Sequence, residues 1–387
     1  VRVADGLAAL QALASAWRQR FAPLVVGVTG SVGKTSTKEA AAAILGTRFR
    51  TLASAGNENN EIGLPLTLLR LGPEDEAAVL EMGMYVEGDI ALLAGLARPA
   101  IGVVTAVRGV HLARAGSIEA IEREKGRLVE ALPADGTAVL NADDPRVLAM
   151  RDRTAARSLT YGFGPEADVG AEAVTWRGAE GMRFVLRAAG QRLPVSTPVL
   201  GRHGVENALA AASVGLAAGL APAEVTAGLA GGWAAKGRSV LVEAGAWRIL
   251  DDSYNSGPDS MAAALDLLAS LPGRRVAVLG EMLELGEASE AEHRRLGTLA
   301  VAAGVRILVT VGGEARATAA AAVSAGLPAG AVDHATDAAE ATALLALRLL
   351  PGDVVLVKGS RGVELDRVVE ALIQAGRASG ARRGGQA

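Results

Sequence analysis

The 387-residue chain contains no cysteine. That removes disulfides, thiolate metal ligands and thiol catalysis at once. Aromatic residues make up only 3%, against 48 glycines and an abundance of alanine, a balance that predicts many closely packed helices. There is no basic excess: the formal charge is −3, with no basic stripe to argue for nucleic acid. No apolar run is long enough to cross a bilayer, the longest Ala/Leu-rich stretch being residues 208–221. Residues 4–21 are amphipathic and carry charges, unlike a signal peptide. A reducing cytoplasm and no membrane association are the resulting expectations. With half its residues apolar, the chain is globular and long enough for two or three domains.

Residues 1–22 read as one amphipathic helix, carried by Leu7, Leu10, Leu13 and Trp17. Strand candidates follow at 24–29, 77–81, 101–107 and 137–141, alternating with helical stretches. This alternation predicts an α/β fold with a mostly parallel sheet. Residues 167–195 alternate Thr, Val and Arg between turns near Gly181 and Gly190, which predicts an antiparallel flank. Ala-rich helices occupy 205–229, and Gly231-Gly232 before Lys236-Gly237-Arg238 reads as an interdomain hinge. A second α/β pattern has strands at 247–250, 275–279, 306–311 and 353–357, with helices at 260–270, 289–303 and 337–350. It carries no Gly-x-Gly-x-x-Gly, so it is doubly wound without a dinucleotide signal. The expected organisation is a lead-in helix (1–22), a central P-loop-type domain (23–235), a C-terminal Rossmann-like domain (236–376) and a disordered tail (377–387).

The richest stretch is Val25-Val26-Gly27-Val28-Thr29-Gly30-Ser31-Val32-Gly33-Lys34-Thr35-Ser36. An apolar strand stops at a glycine-rich turn, and a lysine and hydroxyls open a helix. Backbone N–H groups and a helix N-terminus then face an anion, Lys34 neutralises charge, and the Thr35 hydroxyl reaches a magnesium ion. The standard spacing asks for glycine five places before Gly33, where Val28 stands, so this loop is a subtype.

Other polar residues stand just after predicted strands, where open α/β sheets bind ligands. Glu81 closes one strand and His111 follows another. If those strands are neighbours, Thr35, Glu81 and His111 converge as magnesium partners beside ATP phosphates. Singly, each has a plainer reading as a solvated strand end or a structural histidine. Residues 56–63 hold three Asn and two Glu, which suits either a substrate-contacting loop or an ordinary turn. Lys125 on its own reads as a surface lysine. Asp251-Asp252 suits a ribose or a helix cap. Lys358-Gly359-Ser360-Arg361-Gly362 suits a substrate carboxylate or a plain basic turn.

In order along the chain stand Thr29-Gly30-Ser31-x-Gly33-Lys34-Thr35, Gly56-Asn57-x-Asn59-Asn60-Glu61-Ile62-Gly63 and Glu81-Met82-Gly83-Met84. Leu140-Asn141-Ala142-Asp143-Asp144, Leu250-Asp251-Asp252-Ser253-Tyr254-Asn255, Leu279-Gly280-Glu281-Met282-Leu283-Glu284-Leu285-Gly286 and Lys358-Gly359-Ser360-Arg361-Gly362 follow. The set resembles the Mur ligase family of ATP-dependent amide ligases, and the resemblance covers nearly everything from residue 1 to about 376. The branch resembled joins D-alanyl-D-alanine to UDP-N-acetylmuramoyl-tripeptide in peptidoglycan precursor synthesis. The resemblance implies that Gly30, Ser31, Val32, Gly33, Lys34, Thr35 and Ser36 bind the ATP phosphates. It implies two magnesium sites, one held by Thr35 and Glu81 and a second with help from His111. Lys125 matches a lysine carbamylated by CO2, which replaces the surface reading above. Lys34, Lys125, His111 and Glu81 become the catalytic set. Asn207, Arg238, Asp252 and Asn255 match contacts to the nucleotide. Asn57, Asn59, Asn60, Glu61, Lys358, Ser360 and Arg361 would face the two peptide substrates. A cytoplasmic monomer is implied. The implied chemistry is an acyl phosphate formed from the substrate carboxylate, then attack by the D-Ala-D-Ala amine, with domain closure excluding water.

Val32 stands where the family loop often has Asn, and residues 106–111 depart from the usual approach to the histidine. Only about one helix precedes the phosphate loop, where the family has a domain for the uridine nucleotide. Either that domain is cut short or the acyl substrate is held differently. Three other readings stay open: a Mur-type ligase for other substrates, such as a folylpolyglutamate or cyanophycin synthetase; a motor- or transport-type P-loop ATPase; and a non-catalytic binder on the same fold.

Overall fold

A computed structural model describes residues 2–109, 116–233 and 235–384, with no side-chain account of 179 or 378–384. The chain divides into two compact units between Ala235 and Lys236. In the first, nine strands form one sheet in the order β2-β3-β1-β4-β5-β6-β7-β8-β9. They are β1 (Leu24–Thr29), β2 (Thr51–Ala53), β3 (Ala77–Glu81), β4 (Ile101–Val104), β5 (Thr137–Asn141), β6 (Arg157–Gly162), β7 (Val169–Trp176), β8 (Met182–Ala188) and β9 (Gln191–Thr197). Pairing is parallel from β2 through to β7 and antiparallel across β7-β8-β9, the mostly parallel sheet with an antiparallel flank that the alternation predicts.

Parallel strands covered on both faces read as continuous apolar runs rather than alternating ones. Successive side chains still point to opposite faces, and the core divides accordingly. Val26, Val28, Ala77, Val79 and Val103 pack with the helices Lys34–Leu45 and Gly201–Ala217. Val25, Ala78, Leu80, Val104 and Leu140 pack on the other face with the helices Asp89–Ala97 and Ile118–Glu130. Glycine permits one close approach here. A Cβ on Gly27 would stand 3.0 Å from Leu128 Cδ1, and one on Gly102 would stand 3.2 Å from Leu128 Cγ. The helix that carries Lys125 thus seats Leu128 against the backbone of β1 and β4.

The second unit has a six-stranded sheet, order β10-β11-β15-β12-β13-β14. The strands are β10 (Val240–Ala244), β11 (Trp247–Asp251), β12 (Arg274–Gly280), β13 (Ile307–Val311), β14 (Val332–Ala335) and β15 (Asp353–Lys358). Only the β10–β11 hairpin is antiparallel. Strand order reverses beside β15 and β12, which makes their carboxyl ends the switch-point crevice of a doubly wound sheet.

Three expectations shift. The strand expected over 101–107 ends at Val104, because the Val107 N–H donates to Asp144 Oδ2 at 2.9 Å instead of to a neighbouring strand. Four short strands, β2, β6, β10 and β14, lie outside the expected set. The tail expected to be disordered from 377 continues the helix Asp366–Gly384. Its Ala- and Arg-rich sequence without proline suits a helix, and Gly376 lets it pass close against the Ala244 backbone. No described helix is long and apolar enough to cross a membrane.

Leu128 is fully buried, so Leu128→Ala should lower the stability of the first unit by about 2–5 kcal/mol. Urea unfolding followed by a probe in that unit measures the change.

Candidate active site

At the carboxyl end of β1 the chain turns through Gly30 (φ 150°) and Gly33 (φ 83°) into the helix Lys34–Leu45. Both glycines are required by φ and by space. A Cβ on Gly30 would collide with the Thr105 hydroxyl, and one on Gly33 would stand 2.8 Å from Asn207 Oδ1. Thr105 donates its hydroxyl to the Val32 carbonyl. Ser31 N–H donates to Ala106 O at 2.8 Å, and Ser31 Oγ accepts from Arg108 N at 2.9 Å. Lys34 Nζ donates to Gly30 O at 2.8 Å. The loop is therefore clamped by the strand beside it, with Asn207 from a distant helix against its last glycine. This is a preformed cradle of N–H groups at a helix N-terminus. Val32 enters it through its carbonyl.

β1 lies between β3 and β4, which meets the neighbour condition on which the convergence of Thr35 and Glu81 depended. Glu81 is 1% exposed. Its Oε1 accepts from Asn59 Nδ2 at 2.8 Å, and its Oε2 is buried with no hydrogen-bond partner. An orphaned buried carboxylate oxygen is costly, and a hard cation beside it removes the cost. Magnesium is usually held by one or two carboxylates plus phosphates and waters. That fits a site where, among the described residues, no three acidic or histidine side chains cluster. His111 lies outside the described residues.

Lys125 is 3% exposed. Burial, and then the nearby Lys34 charge, push its ammonium well below the usual lysine range, with Glu124 acting the other way. Glu124 is spent elsewhere: its carboxylate accepts from Gly88 N at 3.0 Å and Ile90 N at 2.7 Å, holding the start of the helix Asp89–Ala97. The structure thus places a buried amine, its charged form disfavoured, within the field of the phosphate-loop lysine.

The Asn-rich loop divides by role. Asn57 is exposed. Asn60 Oδ1 accepts from Gly63 N at 2.8 Å and Ile62 N at 3.2 Å, opening the helix Gly63–Leu68. The Glu61 carbonyl accepts from Gln11 Nε2 at 3.2 Å. Asn59 alone of these reaches Glu81.

Several contributing residues carried no role in the sequence reading. Asn141 donates from Nδ2 to Thr105 O at 2.9 Å and to Glu206 Oε1 at 2.7 Å, supporting the residue that clamps the loop. Burial raises the Glu206 carboxyl, opposed by that amide. Asp144 binds Arg108 at 2.5 Å. Lys38, four residues past Lys34, is fully buried and donates to Ser54 O at 2.6 Å. The sequence signal for Lys38 is a lysine on the apolar face of a helix.

In the second unit, Asp252 Oδ1 accepts from Ser239 N at 3.0 Å, and its Oδ2 accepts from Lys358 Nζ at 2.5 Å. Lys358 also donates to the Asn255 carbonyl at 3.0 Å and is 2% exposed. Burial lowers its ammonium, opposed by Asp252. Lys358 therefore fixes Asp252 and Asn255. Ser239 holds φ 53°, and next to it Arg238 lies 4.3 Å from the Tyr254 ring centroid. Arg238 Nε is buried without a hydrogen-bond partner. Ser360 Oγ accepts from Leu283 N at 2.9 Å, joining the turns after β12 and β15. Arg361 pairs with Asp366 at 2.8 Å.

Residues 28–215 match the family model for the Mur ligase middle domain, and 237–361 match that for the Mur ligase, glutamate ligase domain. UDP-N-acetylmuramoyl-tripeptide–D-alanyl-D-alanine ligase of Escherichia coli is 38% identical over 369 residues, covering 94% of this chain and 80% of that protein. The enzyme of that name from Mycobacterium tuberculosis is 41% identical, covering 95% and 77%. Among solved structures, MurF from Acinetobacter baumannii superposes with a TM-score of 0.87 at 30% identity, covering 97% of this chain and 82% of that one. MurF from Thermotoga maritima in complex with ADP gives 0.86 at 28% identity, covering 98% and 86%. Folylpolyglutamate synthase of Mycobacterium tuberculosis, at 17% identity and 0.75, shares the fold. Two domain models matched in sequence, and relatives aligned along nearly the whole chain at this identity, have one meaning: the chain belongs to the Mur ligase family.

Proposed function

We propose that this chain is an ATP-dependent peptide ligase that adds D-alanyl-D-alanine to UDP-N-acetylmuramoyl-tripeptide, releasing ADP and phosphate. The curated relatives bear that activity in their names. The observation that carries the reading is the buried Lys125 in the field of Lys34. A phosphate loop serves any nucleoside triphosphatase, whereas a buried lysine within the field of its Lys34 has no use in a motor-type enzyme.

The substrate carboxylate attacks the γ-phosphorus, the bond to the β-phosphate oxygen breaks, and ADP leaves. The D-Ala-D-Ala amine then attacks the acyl carbon, phosphate departs and the nitrogen loses a proton. The loop N–H groups and Lys34 hold the triphosphate and stabilise charge spreading over the transferred oxygens. Thr35 and Glu81 are the residues to hold magnesium, which when bound neutralises phosphate charge as a Lewis acid; His111 is assigned to a second ion. Asn207, Arg238, Asp252 and Asn255 are assigned to the nucleotide. Asn57, Asn60, Glu61, Ser360 and Arg361 are assigned to the peptide substrates, while Lys358 supports Asp252.

Lys125 is proposed to be carbamylated. Its neutral amine attacks CO2 and one proton is released, leaving an anionic carbamate. Burial favours this, because a lowered pKa leaves free amine at a pH where an ordinary lysine is protonated. A monomer in the cytoplasm is the proposed form.

Phosphate release with ATP and magnesium should need both peptide substrates; release independent of D-Ala-D-Ala would reject the ligase reading. Lys125→Ala should lower turnover by orders of magnitude and regain part of it with added short carboxylic acids. Depleting CO2 should lower wild-type turnover, and more so as acidification through the Lys125 pKa protonates the amine. Unchanged turnover in Lys125→Ala would remove the carbamate.

A further inference from the structure

The Glu81 carboxylate is oriented by a neutral donor. A carboxylate accepts hydrogen bonds only, so the atom of Asn59 at 2.8 Å from Oε1 is its N–H2 group. An amide orients the carboxylate without cancelling its charge, as a lysine or arginine would, and the charge stays available to a cation at Oε2.

Asn59 is itself tightly held. Its carbonyl accepts from Gly83 N–H at 2.8 Å, and its N–H donates to Asn57 O at 2.7 Å. A Cβ on Gly83 would stand 2.9 Å from Asn59 Oδ1, so the turn after Glu81 is shaped to receive this side chain. The root of the loop is pinned as well. Lys38 Nζ donates to Ser54 O at 2.6 Å and Gly56 O at 3.4 Å, and Glu39 at 2.7 Å balances its charge. Ser54 Oγ in turn accepts from Glu81 N at 3.0 Å. The Asn-rich loop therefore meets Glu81 at its backbone through Ser54 and at its carboxylate through Asn59. The helix after the phosphate loop braces the first of these contacts, at Ser54, and the start of the loop at Gly56.

We propose that Asn59 is a positioning residue for the Glu81 carboxylate, so that the Asn-rich loop belongs to the metal-holding apparatus instead of meeting substrate at Asn59. The inference rests on the reading that Glu81 holds the metal. It departs from that reading in the role given to Asn59.

The test titrates Mn2+ into the full chain with a non-hydrolysable ATP analogue and follows free Mn2+ by electron paramagnetic resonance. Asn59→Ala should weaken Mn2+ binding by roughly 10–100-fold, the usual cost of losing a partner that orients a metal ligand. The KM for the uridine-nucleotide substrate should stay near the wild-type value. In a Glu81→Gln background, Asn59→Ala should weaken Mn2+ binding no further. Gly83→Ala, which crowds Asn59 without touching Glu81, should weaken Mn2+ binding in the same direction, and it decides the matter if Asn59→Ala does not fold. Unchanged Mn2+ affinity with a raised KM would overturn the proposal and return Asn59 to substrate contact. Mn2+ binding needs no amine acceptor, so the result stands apart from the fate of the ligase reading.

Discussion

Burying charge is the constraint on which the first unit depends. Lys38, Glu81, Glu124 and Lys125 are each at most 3% exposed. An unpaired ion at such depth costs several kcal/mol even after relaxation. Each of the four is relieved differently. Lys38 has Glu39 and carbonyls. Glu124 has two N–H groups at a helix start, where the dipole also favours an anion. Lys125 has burial and the Lys34 charge pushing its ammonium pKa down, with only Glu124 opposing. Glu81 has one amide and one oxygen left over. The first two are closed accounts of structure, and the last two are open. Both lie in the unit that carries the phosphate loop, and Lys34 of that loop is one of the charges that disfavour the Lys125 ammonium.

The second unit solves a related problem with cations. Lys358 is spent inside the fold on Asp252 and the Asn255 carbonyl. Arg238, set next to a strained Ser239 and against the Tyr254 ring, keeps a buried Nε–H unpaired. A residue after a strand in an open sheet is thus no single class: Lys358 fixes its neighbours, while Arg238 keeps an N–H unpaired.

That distinction marks where the sequence is readable. Strand positions at 24–29, 77–81 and 137–141 are legible because a strand buried on both faces is a short apolar run between turn residues. The phosphate loop is legible because its glycines answer to φ and to close neighbours. The family is legible from ordered motifs. What stayed hidden was partnership. Nothing local says that Asn59 turns toward Glu81 and Asn60 toward a helix start, since both are asparagines in one loop. Lys125 by itself reads as a surface lysine, because burial is a property of the helices around it. Lys38 and Asn141 each donate to a backbone carbonyl, and a carbonyl partner leaves no residue-type signature at its own position. Short strands such as Thr51–Ala53 owe their pairing to β3, more than to their own three residues.

Gly30, Gly33 and Gly83 share a property that concerns more than folding. Where each would carry a Cβ stands a side-chain atom of Thr105, Asn207 or Asn59. Even alanine at these places would displace a residue that shapes the site. Gly30 and Gly83 are themselves buried, so the constraint is internal: the cradle cannot be reshaped one glycine at a time without moving the side chains that set it.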